Sequence, residues 1–91
     1  MKKSTRLFIS GSIHDMFFKQ FIKQNADKNE VKGFLRKLED GRIEIFIEGD
    51  EENVDTMTSI CQRGPPHANI RQFQQQEEKF QDFKEFKIFN F

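Results

Sequence analysis

Few side chains in this chain titrate near neutrality or carry ligand chemistry: His14, His67 and Cys61. His14 falls between the first expected strand and the first expected helix. An imidazole there can take up or release a proton, although a half-exposed loop histidine that only hydrogen-bonds is the simpler expectation. His67 follows Pro66 in a turn and is read as structural. The spacing of His14, Cys61 and His67 matches no metal-ligand pattern, so neither a metal nor a cofactor is expected. Cys61 lies on the apolar stripe of a helix, where a thiol packs as a small hydrophobe. Asp50, Glu51 and Glu52 are acids suited to the positive end of a helix dipole. Met16 and Met57 are read as packing residues.

The elements that position these groups follow from periodicity. Over 6–13, Leu7, Ile9, Gly11 and Ile13 alternate with Phe8, Ser10 and Ser12, which predicts a strand with one buried face. Over 17–28 the period lengthens, and Phe18, Phe21, Ile22, Asn25 and Ala26 form a helical stripe. A second strand spans 31–38. Asp40-Gly41 marks a hairpin turn, and Ile43, Ile45 and Ile47 alternate along a third strand with Glu44 and Glu48 on its other face. Val54, Met57, Ile60 and Cys61 line a second helix that Gly64-Pro65-Pro66 stops. A fourth strand over 68–75 can turn inward either Ala68 and Ile70 or Asn69, Arg71 and Phe73, and Ile70 favours the first. Residues 72–81 read as a strand end and a loop. Phe83, Phe86, Ile88, Phe89 and Phe91 suggest a last short strand or a tail held by aromatic packing. The order β-α-β-β-α-β predicts an α+β, ferredoxin-like two-layer sandwich, an antiparallel sheet with two helices on one face and solvent on the other.

Composition sets the outer limits. Ninety-one residues make one core, so residues 1–91 are read as a single domain. Twelve Phe, with no Trp or Tyr, carry all the aromatic burial, which offsets a low mean hydropathy and argues for a folded chain. Fifteen basic residues balance fifteen acidic ones, so net charge gives no drive toward nucleic acid or an anionic membrane. The basic start, Met1 to Arg6, is not followed by an apolar run long enough for a signal peptide or a span. A lone cysteine fits a reducing compartment. The expectation is a cytoplasmic protein with no membrane partner.

The stretch from Ile9 to Lys19 reads Ile-Ser-Gly-Ser-Ile-His-Asp-Met-Phe-Phe-Lys. It resembles the phosphate-binding signature of acylphosphatases, hydrophobic-x-Gly-x-Val-Gln-Gly-Val-x-Phe-Arg. Gly33-Phe34-Leu35-Arg36 resembles the family's Gly-Trp-Val-Arg, and Asp40-Gly41-Arg42-Ile43-Glu44 its Asp-Gly-Arg-Val-Glu. Phe21-Ile22, Ala26, Gly49, Val54, Gly64-Pro65-Pro66 and Ala68 continue the match over nearly the whole chain. The resemblance implies a metal-free hydrolase of carboxyl-phosphate anhydrides. Its loop amides would grip the phosphate, here along His14, Asp15, Met16, Phe17, Phe18 and Lys19. An arginine would clamp it and an asparagine would orient the attacking water. The substrate class implied is a small phosphate-type anion or an acyl phosphate.

Four positions depart from that pattern. Lys19 occupies the arginine slot and keeps charge without the planar fork that grips two oxygens. Lys37 occupies the asparagine slot; a protonated amine has donors only and cannot accept from water. It would bind the phosphate instead or repel Lys19. Asp15 and Phe17 stand where the family has glycine or a small residue, so a negative charge enters the loop and any glycine-only conformation is lost. These departures point to weak or lost hydrolysis, with a non-catalytic oxyanion- or partner-binding module as the alternative.

With Leu7, Ile9 and the three isoleucines facing the helices, Phe8, Phe34 and Phe46 point to the open face. Three such rings resemble the base-stacking platform of RNA-recognition motifs, and Leu7-Phe8-Ile9 resembles their first-strand motif. Glu44 and Glu48 on the same face argue against nucleic acid. The simpler expectation is cover by Phe86, Phe89 and Phe91, or by a second subunit in a homodimer.

Overall fold

A computed structural model describes residues 1–89. The elements are β1 (Lys2–Ser12), α1 (Asp15–Lys28), β2 (Lys32–Lys37), β3 (Ile43–Asp50), α2 (Glu51–Arg63), β4 (Asn69–Glu78) and β5 (Phe86–Phe89). They form the expected α+β ferredoxin-like fold, with sheet order β4-β1-β3-β2-β5. Between the sheet and the helices lies the core. Leu7, Ile9, Leu35, Ile43, Ile45 and Ile47 of the sheet meet Phe18, Ile22 and Ala26 of α1 and Val54, Met57 and Cys61 of α2. Each large apolar side chain buried there contributes roughly 1.5–3 kcal/mol. Among the described residues, no helix is long and apolar enough to cross a membrane.

The first four strands pair antiparallel as expected, but β5 joins parallel to β2. The reason is the route of residues 79–85. β4 and β5 occupy opposite edges of the sheet, and the connection crosses at the end where β4 finishes, so β5 runs back in the direction of β2. Gly33 lies opposite Phe86 in that pairing. Phe86 belongs to the buried core cluster and is not laid over the open face; a Cβ on Gly33 would stand 1.8 Å from the Phe46 carbonyl oxygen of the neighbouring strand. Phe91 lies outside the described residues.

β4 is longer than its polar composition suggests, because Gln72 to Glu78 pair with β1. Its two candidate inward sets also merge. The register shifts between Ser10 and Gly11, which leaves Arg71 as an extra residue, and both Ile70 and Phe73 pack against the core. At this bulge a Cβ on Gly11 would stand 2.1 Å from the Asn69 carbonyl oxygen, so only glycine fits. The β2–β3 turn matches its sequence signal. Gly41 takes φ 92°, and the Asp40 carboxylate accepts from the Arg42 backbone N–H at 3.0 Å and from Arg42 Nε at 2.8 Å. Those bonds, the backbone one foremost, hold the Asp40 carboxyl below the usual carboxylate range.

The open face differs most from expectation. Glu44 and Glu48, read as solvent-facing, are only 3% and 1% exposed. Glu44 bridges Arg6 and Arg36. Glu78, paired with Gln76 and Arg6, is held below its ordinary value chiefly by the Gln76 hydrogen bond. Glu48 accepts from Ser4 Oγ at 3.0 Å, the Gln81 N–H at 2.8 Å and the Phe83 N–H at 2.6 Å, and so pins the crossing segment to the sheet. Phe83 then packs on Phe34 and Phe46, with centroids 5.8 and 5.5 Å away, and Phe89 packs on Phe34 at 5.9 Å. Phe46 is fully buried, with the Arg6 guanidinium over it, and Phe8 lies half-buried under Arg42. The cover comes from this chain's own Phe83 and Phe89.

Cys61 is fully buried, and desolvation pushes its thiol up to about 12. A thiol that is neutral and inaccessible is inert. The native protein is therefore expected to leave a disulfide reagent such as DTNB unreacted over minutes, while the urea-unfolded chain releases one equivalent at once. Fast reaction of the native form would place the thiol at the surface.

Candidate active site

The turn between β1 and α1 is built by a change of period. Ile9 ends the run of β1 side chains buried against the helices, and Phe18 begins the buried stripe of α1 and fixes the turn to the core. His14 is the N-cap in extended conformation (φ −85°, ψ 108°), and its side chain makes no capping bond. The first bond of the helix runs from the Phe18 N–H to the His14 carbonyl at 2.9 Å. The amides of Asp15, Met16 and Phe17 precede it and have no acceptor within the helix. Aligned donors at the positive end of a helix are suited to an oxyanion. Asp15 and Phe17 carry no positive φ, so the turn forms as an ordinary helix start and needs no glycine there.

Within this turn the side chains divide by direction. Phe18 is buried and Lys19 half-buried, whereas Met16 and Phe17 are 54% and 64% exposed, so Met16 is no packing residue. His14 is exposed and stacks on Phe17, with ring centroids 4.5 Å apart. His67 adopts φ 72° in the turn after α2, where the Ala68 N–H bonds to the Pro65 carbonyl at 3.2 Å. That turn comes against the β1–α1 turn. His14, Phe17, Pro65, Pro66, His67 and Ala68 enclose a groove of about 220 Å³.

Lys37, at the end of β2, reaches the same turn. Its Nζ lies 2.6 Å from Asp15 Oδ2. The carboxylate that the sequence sets in conflict with an anion is thus paired with the lysine of the asparagine slot. Both partners are partly exposed, and such a pair is worth about 0–1 kcal/mol. The fold therefore brings together Asp15 and Lys37 with the α1 amides, and it leaves Phe8, Phe34 and Phe46 elsewhere, on the open face. Sequence reasoning missed the Asp15–Lys37 pair: it weighed Asp15 against the anion and Lys37 against the water, the phosphate and Lys19, never the two against each other. The signal was present: opposite charges at two slots that the family pattern assigns to one site. Among the described residues, no group of three or more His, Cys, Asp or Glu is placed to hold a metal ion.

Comparisons with known proteins bear on the family and the fold. The family model described as Acylphosphatase matches residues 5–88. A relative from Rubrobacter xylanophilus named Acylphosphatase is 36% identical over 76 residues, covering 84% of this chain and 69% of its own. Another, from Syntrophobacter fumaroxidans and with the same name, is 32% identical over 88 residues, covering 96% and 91%. The crystal structure of acylphosphatase from Bacillus subtilis superposes with a TM-score of 0.87 at 25% identity, covering 97% of this chain and 98% of that one. A family model that matches residues 5–88 and a relative 32% identical over 96% of the chain show that this chain belongs to the acylphosphatase family.

Proposed function

We propose that the turn from His14 to Lys19 binds the phosphoryl group of an acyl phosphate and that hydrolysis there is weak or lost. The α1 amides supply donors fixed before the ligand arrives, which is the main protein contribution to phosphoryl chemistry. Lys19, half-buried within the same turns, supplies the charge that the family's arginine would. The observation that carries the reading is the 2.6 Å bond from Lys37 to Asp15. In the slot where the family's asparagine orients the nucleophile, a donor-only group is engaged by a carboxylate. The ammonium offers a water donors only, and the acceptor beside it is the charged Asp15 carboxylate, not the neutral amide that accepts and donates from one side chain. Losing one positioned group of this kind commonly lowers turnover by about 10²–10³-fold.

The test is hydrolysis of benzoyl phosphate beside a family member that carries arginine and asparagine in those slots. Turnover at least about 100-fold below that enzyme is expected, together with a melting temperature that rises with millimolar inorganic phosphate because the native state binds it. Turnover within tenfold of the comparator overturns the loss of activity. No thermal shift overturns the phosphate site itself.

A further inference from the structure

We infer that the groove between the β1–α1 and α2–β4 turns is the subsite for the acyl half of the substrate, and that it selects acyl phosphates with an aromatic or compact apolar acyl group. This rests on the phosphate reading of the loop above. Continuity carries it. His14 and Phe17, which wall the groove, are the N-cap residue and the third residue of α1, so the groove adjoins the turn that carries the free α1 amides. Phe17 is 64% exposed although it is a large hydrophobe on a helix start. Its ring is held by the His14 stack, 4.5 Å between centroids and 27° between planes, so it offers a fixed face at little entropic cost.

The opposite wall combines three apolar residues with the His67 imidazole. Pro65 and Pro66 have fixed φ, and Ala68 adds a methyl floor. The enclosed volume, about 220 Å³, exceeds the roughly 150 Å³ that suffices for a benzene ring. No carboxylate lines the groove, so an acyl group bearing a cation finds no partner there. An apolar wall continuous with an anion-binding turn is the usual make-up of a small-molecule site, in which polar groups fix orientation and apolar ones select.

The experiment is isothermal titration of the full chain with three stable probes: inorganic phosphate, methylphosphonate and benzylphosphonate. Benzylphosphonate is expected to bind at least tenfold more tightly than methylphosphonate. Ala68→Phe, which fills the groove, is expected to bring that ratio below threefold while inorganic phosphate affinity stays within twofold. Pro66→Ser changes an exposed residue and serves if the bulkier variant melts early; the ratio is expected to fall at least threefold. Equal binding of the two phosphonates, with phosphate still bound, overturns the acyl subsite and leaves the phosphate reading standing. A tenfold ratio that survives both folded variants overturns it too, because the ring then sits elsewhere. Binding of none of the three probes overturns both readings together.

Discussion

Replacing Lys19 by arginine and Lys37 by asparagine is expected to raise benzoyl phosphate turnover at least tenfold, and adding Asp15→Gly to bring the gain to about 10²–10³-fold. The first change restores a planar fork that can hold two phosphoryl oxygens in one geometry, where an ammonium holds one charge centre loosely. The second provides an acceptor and a donor on one side chain, the minimum needed to fix the orientation of a water. Lys37→Asn has a side effect that the structure makes plain. It leaves Asp15 without the cation now 2.6 Å away, and the stranded carboxylate sits on the turn that must receive an anion. Like charges a few ångströms apart near a surface repel by about 1–4 kcal/mol, so the double variant is limited by Asp15 and the triple variant is not. Glycine at the first helical position costs up to about 1 kcal/mol of helix propensity, which lowers the melting point without touching the chemistry. Steady-state kinetics on the parent, double and triple variants decide the matter. If both variants bind phosphate as the parent does and neither gains turnover, the two lysines are not what limits hydrolysis.

The second large effect concerns stability. Glu48→Ala is expected to destabilise the fold by roughly 2–4 kcal/mol, because a buried carboxylate that accepts three hydrogen bonds is removed and its donors are left without partners. For a chain of this size that lowers the melting temperature by about 10–20 °C. The loss is also local. Without Glu48 the backbone of Gln81 and Phe83 is released, and Phe83 leaves the faces of Phe34 and Phe46. Amide exchange at Phe83 should therefore accelerate far more than in α1, and an apolar patch should open on the sheet. Glu48→Gln keeps an acceptor oxygen and should lose less. A melting temperature within 3 °C of the parent for Glu48→Ala would mean that aromatic packing alone holds the crossing segment.

Much of this protein is legible in the order of its side chains. The alternation of Leu7 and Ile9, the isoleucine series at 43, 45 and 47, and the stripe from Phe18 to Ala26 place strands and helices because burial on one face imposes the period of the element. The Asp40-Gly41 turn is a local matter of φ and one carboxylate, and it forms as expected. The β1–α1 turn could be located because a strand must hand over to a helix near His14, whatever the remainder of the chain does.

Four features depended on residues distant in sequence, and no local pattern encodes such distances. Glu48 alternates like an exposed acid, yet it is buried because residues 79–85 cross the sheet and supply two backbone donors. The direction of β5 followed from the end at which that crossing is made. Ile70 and Phe73 share a face only because β1 and β4 meet with a bulge. Lys37 is neutralised by Asp15 because β2 ends beside the start of α1, although 22 residues separate the two. Local periodicity reflects burial by one neighbour at a time, whereas charge pairing and cover depend on which chain ends the fold brings together.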